Sequence, residues 1–194
     1  MLAIDEQKHV VDIRTLLGTI GGQPVAKPAI DLPDSFNLAA RLAGLGNSFD
    51  PFASELNFLI GSYIFEDVGV SAYHGASPLI ASPTVLSYAA GIYAVEGYHA
   101  GAIRTFLNQM GKGAATQAIS DVRKAAGHAS DDYGVAAGPG GMGPAGNTSI
   151  VLDDALGMAF ARSFRQVLNI VYLNPNNAAS GGFFPAGVNG PIRG

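Results

Sequence analysis

The sequence predicts an all-α protein, an antiparallel bundle of three long helices with short additional helices and a glycine-rich C-terminal tail. Three long segments repeat apolar residues at helical spacing, and glycine follows each of them. Apart from a short stretch at 150–152, no segment shows the alternation of a strand, and no repeat of fixed period is present. We expect residues 1–126 to form the bundle and residues 127–194 to form a loop-rich extension packed on it.

The first long helix is predicted over residues 1–17, where the apolar pattern begins without an N-cap and stops at Gly18. A linker with three prolines separates it from a short helix over residues 35–45. Asp34 is the expected N-cap of that short helix, because a carboxylate there can accept the unpaired N–H groups of the first turn.

The second and third long helices begin with the same signal, a capping residue followed by proline. Asp50 precedes the apolar pattern of residues 52–74, and Ser82 precedes that of residues 84–110. Since only a short segment separates the two patterns, the sequence predicts neighbouring antiparallel helices.

The C-terminal part has weaker signals. Residues 115–127 predict a short helix, and residues 134–149 predict a loop rich in glycine and proline. Ser163 is the expected N-cap of another short helix over residues 164–174, and the tail that follows has no periodic pattern.

Composition excludes several classes of protein. Only 13% of the residues are charged and the net charge is −4, with lysine and arginine scattered, so a nucleic-acid surface is not expected. The absence of cysteine excludes disulfides and thiolate metal sites. No membrane span and no signal peptide are visible. The low charge also favours burial against other subunits, so we expect a homo-oligomer.

Two segments share the pattern Glu-x-x-His, formed by Glu6 with His9 and by Glu96 with His99. Residues three apart on a helix lie about 60° apart on one face, so each pair can share one ion. Both glutamates fall in the middle of apolar stripes that should face the core. A buried carboxylate must be protonated, paired or bound to a cation.

The second long helix contributes a third glutamate. Glu66 lies in line with Leu59 and Tyr73 and is expected to face inward, whereas Asp67, about 100° around the helix, is expected to be solvated. Glu55 shares the face of Glu66 but lies about 16 Å along the axis. We interpret Glu55 as a capping or interhelical partner, with a metal role as the alternative.

The residue types suit a particular group of metals. Carboxylate and imidazole ligands without thiolate favour iron or manganese, with zinc as the less favoured choice. Two Glu-x-x-His helices joined by helices with single glutamates are typical of di-iron and di-manganese carboxylate bundles. The alternative interpretation is structural, with satisfied core histidines and ordinary glutamate–histidine pairs on the helix surface.

Long motifs in the chain resemble a known family. FASELNFLIGSYIFEDVGVSAYHGASPLI, AAGIYAVEGYHAGAIRTFL, QVLNIVYLN and GGFFPAGVNG are similar to segments of the ferritin-like family that includes the desiccation-related proteins. The resemblance covers nearly the whole chain. It implies a ferritin-like four-helix bundle, often exported, with a dinuclear iron or manganese centre. Glu6 and His9 match the second bundle helix, Glu66 the third, and Glu96 with His99 the fourth.

The family's first bundle helix, which carries a further glutamate, has no counterpart upstream of Met1. We therefore expect either a truncated N-terminus or a second chain that supplies the helix. Without a replacement the site would lose one carboxylate and become mononuclear or empty. A truncated form of an exported protein would also lack its signal, so the compartment stays undetermined, with a periplasmic or extracellular location implied by the resemblance.

Two functions follow as hypotheses. The first is a metal-binding stress or desiccation-related protein that oxidises ferrous ion or removes peroxide, with Glu6, His9, Glu66, Glu96 and His99 as ligands. The second is a non-catalytic structural or protective protein that assembles into an oligomer. No catalytic residue is assigned, and no serine nucleophile motif or phosphate-binding loop is present.

Overall fold

The computed structural model describes residues 2–128, 132–135 and 148–192. These residues form six α-helices and no strand, with only two isolated bridges, so the all-α prediction is confirmed. The helices are α1 (Leu2–Thr19), α2 (Pro33–Leu42), α3 (Glu55–Ala76), α4 (Pro83–Gln109), α5 (Gly113–Gly127) and α6 (Phe164–Val171). None of them is long and apolar enough to cross a bilayer.

The antiparallel pair α3 and α4 forms the centre of the fold. A 3-10 turn, Ser77–Leu79, joins the two helices, and they pack against each other along their length. The predicted cap of α4 is present, since the Ser82 hydroxyl accepts the N–H of Val85 at 3.4 Å. α1 lies against α4, while α5 packs against both α3 and α6.

Two predicted N-caps are wrong. α2 begins at Pro33, and the Asp31 carboxylate accepts the N–H of Asp34 at 3.2 Å, so Asp34 is itself in the first turn. α3 begins at Glu55, capped by Ser54 rather than by Asp50. The Asp50 carboxylate accepts the N–H two residues on, at 2.8 Å, and this local turn delays the start of the helix.

The C-terminal part is only partly described. The predicted loop at 134–149 lies mostly outside the described residues, and the stretch at 150–152 is not a strand. Ser163 caps α6 as predicted, and the structure adds a capping box, because the Gln166 side chain accepts the N–H of Ser163. Beyond α6, Phe183 lies in the main core and stacks edge-on against Phe36 and Phe65, with ring centroids 5.1 and 4.8 Å away. The division of the chain at residues 126 and 127 stays a prediction.

A buried network of charges connects the bundle to the C-terminal part. Asp67 accepts hydrogen bonds from Arg104 at 2.9 Å and from Arg123 at 3.0 Å. Asp132 accepts from Arg123 at 2.7 Å and from Arg162 at 2.9 Å. The expectation that Asp67 is solvated is therefore wrong, because the side of α3 that carries it faces two arginines, and Asp67 is only 3% exposed.

Candidate metal centre

Three helices bring the five predicted ligand residues to one place. α1 contributes Glu6 and His9, α3 contributes Glu66, and α4 contributes Glu96 and His99. His9 Nδ1 lies 3.4 Å from an oxygen of Glu6 and 3.4 Å from Oε1 of Glu96. His99 Nδ1 lies 3.2 Å from Oε1 of Glu6 and 3.5 Å from Oε2 of Glu66. The two Glu-x-x-His pairs thus face each other across the interface of α1 and α4.

The five side chains divide into two overlapping groups of possible ligands. Glu6, His9 and Glu96 form one group, and Glu6, Glu66 and His99 form the other. Within each group one ligand atom from every residue lies within 4.8 Å of the others. Because Glu6 belongs to both groups, its carboxylate lies between the two histidines. Whether these atoms bind metal stays a prediction.

Most of the cluster is shielded from solvent. The side chains of Glu66, Glu96 and His99 are at most 11% exposed, and that of His9 is 12% exposed. Glu6 differs, with 43% of its side chain exposed, because no residue of α1 is buried. The cluster is therefore shielded from solvent by α3 and α4, and it is accessible to solvent on the side where α1 lies.

Four polar atoms of the cluster have no hydrogen-bond partner among the described residues. They are Oε1 of Glu6, Nδ1 of His9, Oε2 of Glu66 and Nδ1 of His99. A buried polar atom without a partner costs free energy, so such atoms are rare in folded proteins. Since all four belong to the candidate ligand groups, the donor set fits a cation bound between them.

Without a cation, two of the carboxyl groups have pKa values well above their ordinary value. Burial raises the pKa of Glu66 to about 8, and the charges of Glu96 and Glu6 add to the rise. Burial and the charge of Glu6 raise the pKa of Glu96 to about 7. Both effects disfavour the ionised form. A bound divalent cation would remove this repulsion and hold both glutamates ionised.

Sequence reasoning missed Asp5, which contacts the cluster from the outside. Its Oδ2 lies 3.4 Å from Nε2 of His99. A carboxylate at the second ring nitrogen fixes the orientation of a metal-ligating histidine and raises its basicity. The signal was available in part, since Asp5 lies four residues before His9 and thus on the same helix face.

Other candidates lie outside the cluster. Glu55 is exposed in the first turn of α3 and belongs to neither ligand group. His74 Nδ1 lies 2.7 Å from the carbonyl oxygen of Ala159, and His128 Nε2 lies 2.6 Å from that of Pro175. Both histidines therefore have backbone partners.

Comparisons with known proteins agree with this architecture. The chain is 30% identical to the desiccation-related protein PCC13-62 of Craterostigma plantagineum, over 49% of this chain and 31% of the relative. It is 28% identical to the ferritin-like catalase Nec2 of Nesocodon mauritianus, over 95% of this chain and 64% of the relative. The chain thus spans less than two thirds of the length of either relative.

No solved structure matches the chain. The ferritin-like domain family matches residues 1–109, which include α1, α3, α4 and all five residues of the two ligand groups. This match covers more than half of the chain, and the chain therefore belongs to the ferritin-like domain family.

Proposed function

We propose that this protein binds two iron or manganese ions in the cluster between α1, α3 and α4. Glu6, His9 and Glu96 would hold one ion, and Glu6, Glu66 and His99 the other, with Glu6 shared. The observation that carries the proposal is the set of four buried polar atoms that lack hydrogen-bond partners and belong to these two groups.

The donor types support the choice of metal. Three carboxylates and two imidazoles suit iron and manganese, and zinc is less favoured for a site rich in carboxylate oxygens. If all three glutamates are ionised, they carry three negative charges that two divalent cations can compensate. A lone monovalent cation would leave most of the repulsion in place.

The reaction that we propose is the removal of hydrogen peroxide, in which two peroxide molecules give two of water and one of oxygen. The relative named a ferritin-like catalase supports this choice, since it aligns with 95% of the chain. The ions would supply the exchange of electrons with peroxide. The protein's own part is to hold them with the five side chains of the two ligand groups, to keep His99 oriented through Asp5, and to limit the access of water.

Metal content tests the binding proposal. We expect purified protein loaded with Mn²⁺ or Fe²⁺ to retain two ions per chain by mass spectrometry, and Mn²⁺ to raise the melting temperature of the metal-free protein. The double variant Glu96→Gln with His99→Ala should lose both effects. A folded wild-type sample that retains no iron, manganese or zinc would contradict the proposal.

Oxygen evolution tests the reaction. The metal-loaded protein should release oxygen from hydrogen peroxide, and the double variant should not. Oxidation of ferrous ion without oxygen evolution would instead assign the centre to iron oxidation.

A second candidate function is structural, and the exposed apolar residues of α1 favour it. Ile4 and Val11, seven residues apart and therefore on one side of α1, are each more than half exposed. Such a face is typical of a helix that packs against another subunit or a further helix. We propose that the protein assembles through this face. Light scattering should then show an oligomer that dissociates when Val11 is replaced by Asp.

The double variant separates the two functions. If Glu96→Gln with His99→Ala keeps both the assembly and the protection of stressed cells, the structural function is the correct one. If assembly is kept while protection is lost, protection depends on the metal centre.

A further inference from the structure

We propose that Gly69 is a positioning residue of the metal centre, because the missing side chain at this point of α3 leaves the space that the Glu96 carboxylate occupies. The inference rests on the proposed function and deepens it, since it names the residue that sets where one carboxylate ligand can lie.

The space is defined by close distances. A Cβ atom built on Gly69 would lie 2.3 Å from Oε2 of Glu96, 3.2 Å from its Cδ and 3.8 Å from its Cγ. All three of the nearest atoms belong to Glu96. Any other residue type at position 69 therefore has to displace the Glu96 carboxylate.

The register of α3 explains why the space is at the centre. Gly69 follows Glu66 by three residues, so both lie on the side of α3 that faces the centre. Glu66 extends its own carboxylate towards His99, while one turn later Gly69 admits the carboxylate of α4. Two glutamates from neighbouring helices thus enter the same narrow region without overlapping.

Glycine in the middle of a helix needs a reason, because it is less favourable there than alanine. Three glycines in α4, Gly91, Gly97 and Gly101, have open space where their Cβ would be. Gly69 differs from them, since its missing Cβ is replaced by a functional side chain of the neighbouring helix.

The contact partner decides what a substitution would do. Glu96 meets Gly69 with the end of a flexible side chain, so the carboxylate can move away and the helix can keep its packing. Moving it would take Oε1 of Glu96 from its position 3.4 Å from His9 Nδ1. Glu6, Glu66 and His99, the other group, have no atom among the three nearest to the new methyl group. The expected defect is therefore confined to one of the two ions.

The test compares Gly69→Ala with Gly97→Ala, which introduces the same methyl group directly after Glu96 but into open space. In titrations of metal-free protein with Mn²⁺, we expect Gly69→Ala to bind one ion at least about tenfold more weakly and to leave the other unchanged. Gly97→Ala should bind both ions as the wild type does. The melting temperature of metal-free Gly69→Ala should equal or exceed that of the wild type.

A double-mutant cycle identifies Glu96 as the residue displaced. In the background of Glu96→Ala, the added change Gly69→Ala should not weaken Mn²⁺ binding further, because the carboxylate it displaces is gone. Additive losses would overturn the inference. So would wild-type affinity for both ions in Gly69→Ala, or failure of this variant to fold.

The inference can also fail or hold separately from the proposed function. If the wild type binds no Mn²⁺, the proposed function fails, and the position of Glu96 is then measured directly through the ¹³C shift of its carboxylate in metal-free protein. Gly69→Ala should move this signal and Gly97→Ala should not. An unmoved signal in Gly69→Ala would overturn the positioning role.

Discussion

Asp5 Oδ2 lies 3.4 Å from Nε2 of His99, on the side of the ring opposite the nitrogen that faces the candidate metal centre. Nδ1 of the same ring lies 3.2 Å from Glu6 and 3.5 Å from Glu66. The two nitrogens thus have different partners. A proton on Nε2 directed at Asp5 leaves the lone pair of Nδ1 free for a cation.

Replacement of Asp5 by Ala should weaken metal binding while it leaves the fold intact. Loss of such an outer partner typically lowers metal affinity by about 10–100-fold. Titration with Mn²⁺ measures the effect, and Asp12→Ala, an exposed aspartate of the same helix, is the matched control. Equal affinities of the two variants would contradict an orienting role for Asp5.

The metal-free protein should lose stability as the pH rises from about 4.5 to about 8. Glu66 and Glu96 have an ordinary pKa of 4.5 and values of about 8 and about 7 in the folded chain. The folded state therefore binds more protons than the unfolded state across this range, and the free energy of unfolding falls with pH. We expect a loss of several kcal/mol, measured by denaturant unfolding at several pH values.

Glu66→Gln supplies the control for this pH dependence. A neutral amide of the same size removes the larger of the two pKa shifts, so the variant should lose much less stability between pH 4.5 and 8. Saturation with Mn²⁺ should reverse the trend in the wild type, because metal binding requires the ionised carboxylates. A free energy of unfolding that does not change with pH in the metal-free wild type would contradict the raised pKa values of Glu66 and Glu96.

Asp132→Asn should destabilise the protein strongly. Its carboxylate is fully buried and binds both Arg123 and Arg162, so its loss leaves buried positive charge without compensation. Breaking such an arrangement costs about 3–5 kcal/mol. Thermal and denaturant unfolding measure the loss. Asp121→Asn, which breaks an exposed pair with Lys124, should cost less than about 1 kcal/mol.

Gly75→Ala should also destabilise the fold, unlike Gly69→Ala. A Cβ on Gly75 would lie 2.0 Å from the backbone oxygen of Arg162, which cannot move as a side chain end can. The N–H of Arg162 donates to the carbonyl of Ser71 at 2.9 Å and fixes this segment against α3. Overpacking of this kind costs about 1–3 kcal/mol. A melting temperature equal to that of Gly97→Ala would contradict the close approach.

The long helices could be predicted from sequence because their faces and ends are local properties. Ser82 followed by proline gave the start of α4, and the spacing of Glu96 among apolar residues placed it towards the core. Asp50 had the same local signal, but its carboxylate forms a turn with the next residues and Ser54 takes over the cap. Asp50 and Ser54 are both suitable N-caps, and the sequence pattern alone does not show which of them caps the helix.

The site could be predicted only as far as each helix determines it. Glu66 and His99 follow from the helical spacing of their own segments. The role inferred for Gly69 depends on which residue of α4 lies opposite, and Asp67 is buried because Arg123 reaches it from α5. Contacts between helices far apart in sequence set these positions, and periodicity within one helix carries no information about them.

The core position of Phe183 has a practical consequence for anyone who prepares shortened forms of this protein. The family match ends at residue 109, yet the ring of Phe183 is 2% exposed and packs beside Phe36. A fragment that ends at residue 109 would lack the ring that fills the apolar space beside Phe36 and Phe65. It would also lack Arg123, which donates a hydrogen bond to the buried Asp67. Expression trials should therefore retain the chain to its last described residues, and affinity tags belong beyond them.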